Sequence, residues 1–206
     1  MSIEKVYGKD DAGRYNGKMM AVGRVGERLV MAWLKTIPQI ADVEDVSKSK
    51  RGDAMITWAD GRKALAEIKT DKHIGDSGNM VYETVRHYCG GISQPAWPLT
   101  SAAEWLFYLD LPHGIVYATT MSSFRRAARE RAFMAADRTA SLRHFVLRTS
   151  RTTATEGWLL PANSLDECTM YDVNACNACD GAGGFHDVEV CDYCGGTGHP
   201  PPWSAS

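Results

Sequence analysis

Apolar and polar positions alternate most regularly between Arg51 and Lys69, RGDAMITWADGRKALAEIK. Two apolar runs, Ala54 to Trp58 and Ala64 to Ile68, flank Ala59-Asp60-Gly61-Arg62. That composition closes a hairpin, so the pattern predicts two antiparallel strands. Side chains alternate along a strand, which sends Leu65, Glu67 and Lys69 to one face and Ala66 and Ile68 to the other. Asp53, at the start of the first strand, comes opposite Glu67 and Lys69 in the register a short turn imposes.

The same reading extends along the chain. Met20, Val22, Val25, Leu29, Val30, Trp33 and Leu34 recur at three- and four-residue intervals, which predicts an amphipathic helix from Lys18 to Lys35, ended before Pro38. Gly26 inside it costs about 1 kcal/mol relative to alanine, so it implies that sheet or substrate approaches the helix backbone closely. Ala41 to Val46 reads as a short strand, and Met1 to Tyr15 as a loosely held arm. Past a polar loop from Asp71 to Gly78, the Glu83-bearing run from Asn79 reads as a half-exposed strand. Trp105–Leu109 and Gly114–Thr119 read as paired strands joined by Asp110-Leu111-Pro112-His113. Met121–Ala136 reads as a helix capped by Ser122 or Ser123, with Phe124, Ala128 and Met134 inward. A last strand, Gly157–Leu160, stops at Pro161. Helices alternating with strands make this an α/β chain.

Composition narrows the class. A chain of 206 residues with 44% hydrophobic content can bury one core and carry a small appendage. No apolar run approaches the ~20 residues of a bilayer span, so no membrane partner is expected. No charged-then-apolar leader follows Met1, so the expectation is a cytoplasmic protein, in the host cytoplasm if phage-encoded. A net charge of -2 gives no global pull toward nucleic acid, so such binding needs a local patch. One exists: between Phe124 and Arg151 stand eight arginines against two acids, Glu130 and Asp137. Arg125, Arg126, Arg129 and Arg131 cover the predicted helix, and their guanidinium forks match phosphate geometry in DNA or RNA. A simple solvated helix would show the same residues.

The hairpin carries the candidate chemistry. Two carboxylates with a neighbouring backbone carbonyl, such as that of Ile68, make a hard oxygen site for Mg²⁺ or Mn²⁺. Such an ion polarises a phosphodiester and lowers the pKa of bound water, while Lys69 positions or deprotonates that water. A glutamate and a lysine two apart on a half-exposed strand also describe an ordinary solvated face. Asp53, thirteen residues, then Glu67-Ile68-Lys69 resembles the PD-(D/E)xK nuclease signature, with Gly52 where the family has Pro. The order helix, strand, strand, strand is similar to that family's restriction-endonuclease-like core. The resemblance implies a mixed central sheet flanked by helices over residues 1–165. It also implies catalytic roles for Asp53, Glu67 and Lys69, with Glu27 on the first helix assisting. The segment GNMVYETVRHYCGG, followed by Ser93-Gln94-Pro95 and a small-residue helix at Ser101-Ala102-Ala103-Glu104, resembles phage nucleases and junction-resolvase relatives, which adds Glu83. His73 and His87 sit in polar company and read as surface residues, as a lone histidine usually does.

Residues 166–206 read as a second module. Cys176-x-x-Cys179 and Cys191-x-x-Cys194, eleven residues apart and each followed by glycines, supply four thiolates for a tetrahedral structural Zn²⁺. The repeats resemble the cysteine-rich region of J-domain co-chaperones. So small a module needs the metal to fold. Cys89 and Cys168 read as buried small side chains or incidental thiols. The leading expectation is a metal-dependent endonuclease acting on DNA, of phage or mobile-element type, possible substrates including branched or junction DNA. The alternatives are a non-catalytic nucleic-acid-binding or assembly factor with a structural zinc site, and a zinc-dependent chaperone-like module. A homodimer would suit paired cuts or junctions, a monomer nicking.

Overall fold

The computed structural model describes residues 15–49, 51–136, 144–148 and 153–173. The elements in chain order are α1 (Tyr15–Leu34), β1 (Ile40–Asp45), β2 (Ala54–Trp58), β3 (Lys63–Asp71), α2 (Ile74–Ser77), β4 (Asn79–Tyr88) and β5 (Ser93–Pro95). They continue with α3 (Trp97–Thr100), β6 (Trp105–Asp110), β7 (Ile115–Thr120), α4 (Met121–Ala136), β8 (His144–Arg148), β9 (Thr153–Pro161) and β10 (Thr169–Asp172). The fold is α/β, and its main sheet is mixed: the order is β1-β2-β3-β6-β7-β10, with β3 and β6 parallel and the remaining neighbours antiparallel. A second sheet runs β5-β4-β9-β8, all antiparallel.

The hairpin forms where its residues predict. Gly61 adopts φ +84° in the turn, a conformation that costs glycine little, and the Trp58 N–H donates to the Arg62 carbonyl at 2.8 Å. Ala54 then pairs with Ala66, which fixes which side chains share a face. Ala66, Ile68, Phe107 and Leu109 turn toward α1, where Val30, Trp33 and Leu34 cover them. Leu106, Tyr108 and Tyr117 turn the other way, onto Phe124 and Ala128 of α4 and Met80, Tyr82 and Leu160 of the second sheet. The central strands are therefore buried on both faces. Each fully buried Leu, Ile or Phe contributes roughly 1.5–3 kcal/mol, so these two layers hold the sheet between them.

Gly26 explains how closely α1 lies on the sheet. A Cβ there would overlap Thr70 Oγ1 and stand 2.8 Å from Thr70 Cβ, so only glycine permits the contact. The close approach expected of this residue is to the sheet.

Three details differ from the sequence reading. Thr120 caps α4, its Oγ1 accepting from the Ser123 N–H at 3.1 Å, whereas Ser122 and Ser123 lie inside the helix. The short helix before β6 is Trp97–Thr100, and Ser101–Glu104 runs on as irregular chain, because Pro98 suits a first turn. The packed unit continues past the expected boundary at residue 165, since β10 pairs with β7 and Tyr171 packs on Trp33 at 5.5 Å. Cys89 is exposed, while burial pushes the Cys168 thiol up to about 11. The expected arm at 1–14, the side chain of Met134, Arg138, Arg143, Arg151 and the four knuckle cysteines lie outside the described residues. No helix among the described residues is long and apolar enough to cross a membrane.

Candidate active site on the free edge of strand three

β2 pairs with β3 only as far as Ala66, yet β3 runs on to Asp71. Beyond that point the edge of β3 facing β2 has no strand partner from β2, and its backbone groups need others. Asp53 supplies one. Its own N–H donates to the Ala66 carbonyl at 2.8 Å, and its Oδ2 accepts from the Ile68 N–H at 2.8 Å, so the carboxylate is pinned where the ladder ends. A Cβ on Gly52 would sit 3.0 Å from the Ala66 carbonyl oxygen, which leaves little room for a larger residue.

Lys69 closes the cluster. Its Nζ lies 2.6 Å from Glu67 Oε1 and 3.6 Å from Asp53 Oδ2, and it donates to the Ile68 carbonyl at 3.3 Å. Three oxygens, one from the residue before β2 and two from β3, thus surround one ammonium. The ring of Trp97 lies 4.8 Å from the same nitrogen, a favourable cation–π distance. Burial acts to lower the Lys69 pKa, but the Glu67 and Asp53 carboxylates outweigh it and hold the amine above its ordinary value. Lys69 is therefore a proton-bearing cation in this arrangement and not a ready base.

Glu27, one residue beyond the glycine contact, belongs to the same neighbourhood. Its pKa is raised, first by burial and then by the Asp53 carboxylate, against an opposing pull from Lys69. Glu27 is thus coupled electrostatically to Asp53 and Lys69. Glu83 is placed otherwise: on β4 of the second sheet, it pairs with Arg86 at 2.8 Å, and the contacts around Lys69 do not include it.

Two residues that sequence reasoning passed over, Ser101 and Trp97, complete the site, and Phe124 and Thr70 lie behind it. Ser101 Oγ donates to Glu67 Oε2 at 2.7 Å and Trp97 flanks Lys69. Phe124 stacks against Trp97, with centroids 5.9 Å apart and planes 17° apart. Thr70 Oγ1 is buried without a hydrogen-bond partner among the described residues, beneath α1. The available signal was Pro98 in a first turn and a serine just before an apolar strand, too weak to tie to Glu67 across 34 residues.

The arginines of α4 divide. Arg125 turns inward, donating to the carbonyls of Pro98 and Ser101 at 2.6 Å each. Arg126 pairs with Asp166 at 3.0 Å, Arg129 is exposed and Arg131 half-buried. His87 bridges Ser93 and Glu156 at 2.8 Å on either side, and His73 is exposed.

Among the described residues no group of three His, Cys, Asp or Glu side chains stands ready to hold a metal ion. The donor set here is two carboxylates and a backbone carbonyl, with the ammonium as stand-in cation. Hard oxygens arranged around one positive charge fit Mg²⁺ or Mn²⁺ provided Lys69 withdraws. A cavity of about 400 Å³ opens at the far end of the hairpin, lined by Trp58, Asp60, Arg62, Lys63 and Trp105 among others, and the cluster has no part in it. Comparison of the chain with known protein families, curated proteins and solved structures gives no match.

Proposed function

We propose that this chain is a divalent-metal-dependent endonuclease that hydrolyses phosphodiester bonds in DNA. In this reading the core is restriction-endonuclease-like and the cysteine-rich tail binds a structural Zn²⁺ through Cys176, Cys179, Cys191 and Cys194. The observation that carries it is the convergence of Glu67 Oε1, Asp53 Oδ2 and the Ile68 carbonyl on one cation position. An ordinary solvated strand face has no reason to bury a glutamate to 7% exposure, and Glu67 is buried to that extent.

Asp53, Glu67 and the Ile68 carbonyl would hold Mg²⁺ or Mn²⁺. The ion supplies Lewis-acid polarisation of the phosphodiester and acidifies its water. Lys69, displaced from the centre, keeps its positive charge and orients the attacking water or offsets charge on the phosphate. Glu27, whose pKa is raised by burial and by Asp53, would assist at the rim as a carrier of protons. The exposed Arg129 remains available to phosphate and Arg126 would have to leave Asp166 to join it, whereas Arg125 spends its donors inside the protein. A homodimer would present two such sites to a duplex or junction.

The test is cleavage of plasmid, single-stranded and junction DNA with and without Mg²⁺, beside Glu67→Ala and Lys69→Ala. Mg²⁺-dependent cleavage lost in both variants is the expected outcome. Cleavage that survives both substitutions overturns the assignment.

A further inference from the structure

Glu67 is held on two sides. One oxygen, Oε1, meets Lys69 at 2.6 Å; the other, Oε2, accepts the Ser101 hydroxyl proton at 2.7 Å. The direction of that hydroxyl is set, because Ser101 Oγ itself accepts from the Ala103 N–H at 3.2 Å. With its acceptor side occupied, the O–H points at the carboxylate. Glu67 is thereby fixed with Oε1 turned to the cation position and Oε2 turned away from it.

Ser101 is in turn pinned. The Arg125 guanidinium spans the Pro98 and Ser101 carbonyls, so one planar fork bridges the start and the end of the short helix α3. The Ala102 N–H donates to the Arg51 carbonyl at 3.2 Å and the Glu104 N–H to the Leu65 carbonyl at 2.8 Å. The segment is therefore fastened to the loop that leads into Asp53 and to β3. Nothing about phosphate binding requires this arginine to face the protein interior.

We propose that Ser101, clamped by Arg125, is a positioning residue that locks Glu67 in the orientation that presents Oε1 to the metal. The inference rests on the metal-site reading above and deepens it. It reassigns Arg125 from gripping nucleic acid to organising the metal site. Partners of a metal ligand change affinity without touching the ion, and their loss costs on the order of 10–100-fold.

The experiment is Mn²⁺ titration of the full chain by calorimetry, counting only the binding that Glu67→Ala abolishes. Ser101→Ala is expected to weaken this binding by roughly tenfold, and Ser101→Thr to restore it to within about threefold of wild type. Arg125→Lys, which cannot span two carbonyls with one ammonium, falls between them, while Glu130→Gln on the same helix leaves Mn²⁺ affinity unchanged. In the cleavage assay Ser101→Ala raises the Mn²⁺ concentration needed for half activity yet approaches wild-type kcat at saturation. A merely structural serine would not give that split. Thermal midpoints of Ser101→Ala and Ser101→Thr confirm that both fold. Wild-type affinity in Ser101→Ala, with Glu67→Ala inactive in binding, overturns the inference and leaves the metal site standing. Absence of any Mn²⁺ binding that depends on Glu67 overturns the metal reading and the inference with it.

Discussion

Glu67 and Glu83 are both glutamates on strands with a cation within 2.8 Å, and they differ in everything that makes a site. Glu83 has its partner three residues along the same strand, and the side chains of that pair are 21% and 40% exposed. Such a pair is screened by water and contributes at most about 1 kcal/mol. Glu67 draws its partners from β3, from the start of β2 by way of the shared Lys69, and from the segment after α3. Its side chain is 9% exposed, so an ionised form there is costly unless several groups compensate it. Convergence of separate elements on one buried charge, more than the presence of an acid beside a base, is what separates a candidate site from a surface ion pair.

The largest effect that would break this contrast is in catalysis. Glu67→Ala is expected to lower Mg²⁺-dependent DNA cleavage by at least about a hundredfold, since loss of a metal ligand removes several kcal/mol of transition-state stabilisation. Lys69→Ala should fall in the same range. Glu83→Ala should stay within about threefold of wild type, since its half-buried pair with Arg86 lies outside the contacts around Lys69. Single-turnover cleavage of one DNA substrate by the three variants decides the matter. A Glu83 variant as impaired as Glu67→Ala would mean that the second sheet closes over the site when DNA binds.

The contrast also shows what a sequence can disclose. The hairpin was legible because its turn residues and its alternation are local, and the Ala54 to Ala66 register follows from the turn at Gly61. Asp53, Glu67 and Lys69 came together for the same reason. Ser101 was not legible, because its contact with Glu67 depends on β3 and β6 pairing in parallel, a long-range event with no local pattern. Arg125 misled for a related reason: its helix reads as a basic surface, and only the placement of α3 reveals carbonyls for it to bind. The second sheet was missed as a unit because β4 finds its partner in β9, some seventy residues later, where Glu83 pairs with Gly157.

A middle-sized effect sharpens the comparison from the side of α1, whose Glu27 is coupled to the cluster. Alanine is favoured over glycine in a helix by about 1 kcal/mol, so on an uncrowded helix Gly26→Ala would stabilise. Here its Cβ would overlap Thr70 Oγ1, and overpacking costs typically about 1–3 kcal/mol. The steric term wins, and urea unfolding should show a net loss of roughly 1–2 kcal/mol. In a Thr70→Gly background the same Gly26→Ala change should cost much less, since the obstructing side chain is then absent. A gain in stability from Gly26→Ala alone would mean that α1 does not rest on β3 at this point.

The smallest effect concerns charge and reads the same neighbourhood through pH. Burial and the Asp53 carboxylate raise the Glu27 pKa above its ordinary value of 4.5 in the folded protein. A carboxyl that holds its proton more tightly when folded favours folding while protonated, and it costs stability once the pH passes its folded pKa. Stability therefore falls as pH rises from the ordinary carboxylate range through that raised value. Glu27→Gln, which cannot ionise, should move the urea midpoint up at pH 7.5 and leave it nearly unchanged at pH 4. Saturating Mg²⁺ should shrink the difference at pH 7.5, because a divalent cation beside Asp53 offsets the repulsion that Glu27 feels. An equal shift at both pH values would mean that the substituted amide acts through packing and that Glu27 is not coupled to the cluster. A lower midpoint at pH 7.5 would instead mean that attraction to Lys69 outweighs burial, leaving Glu27 a partner of the lysine and not a carrier of protons.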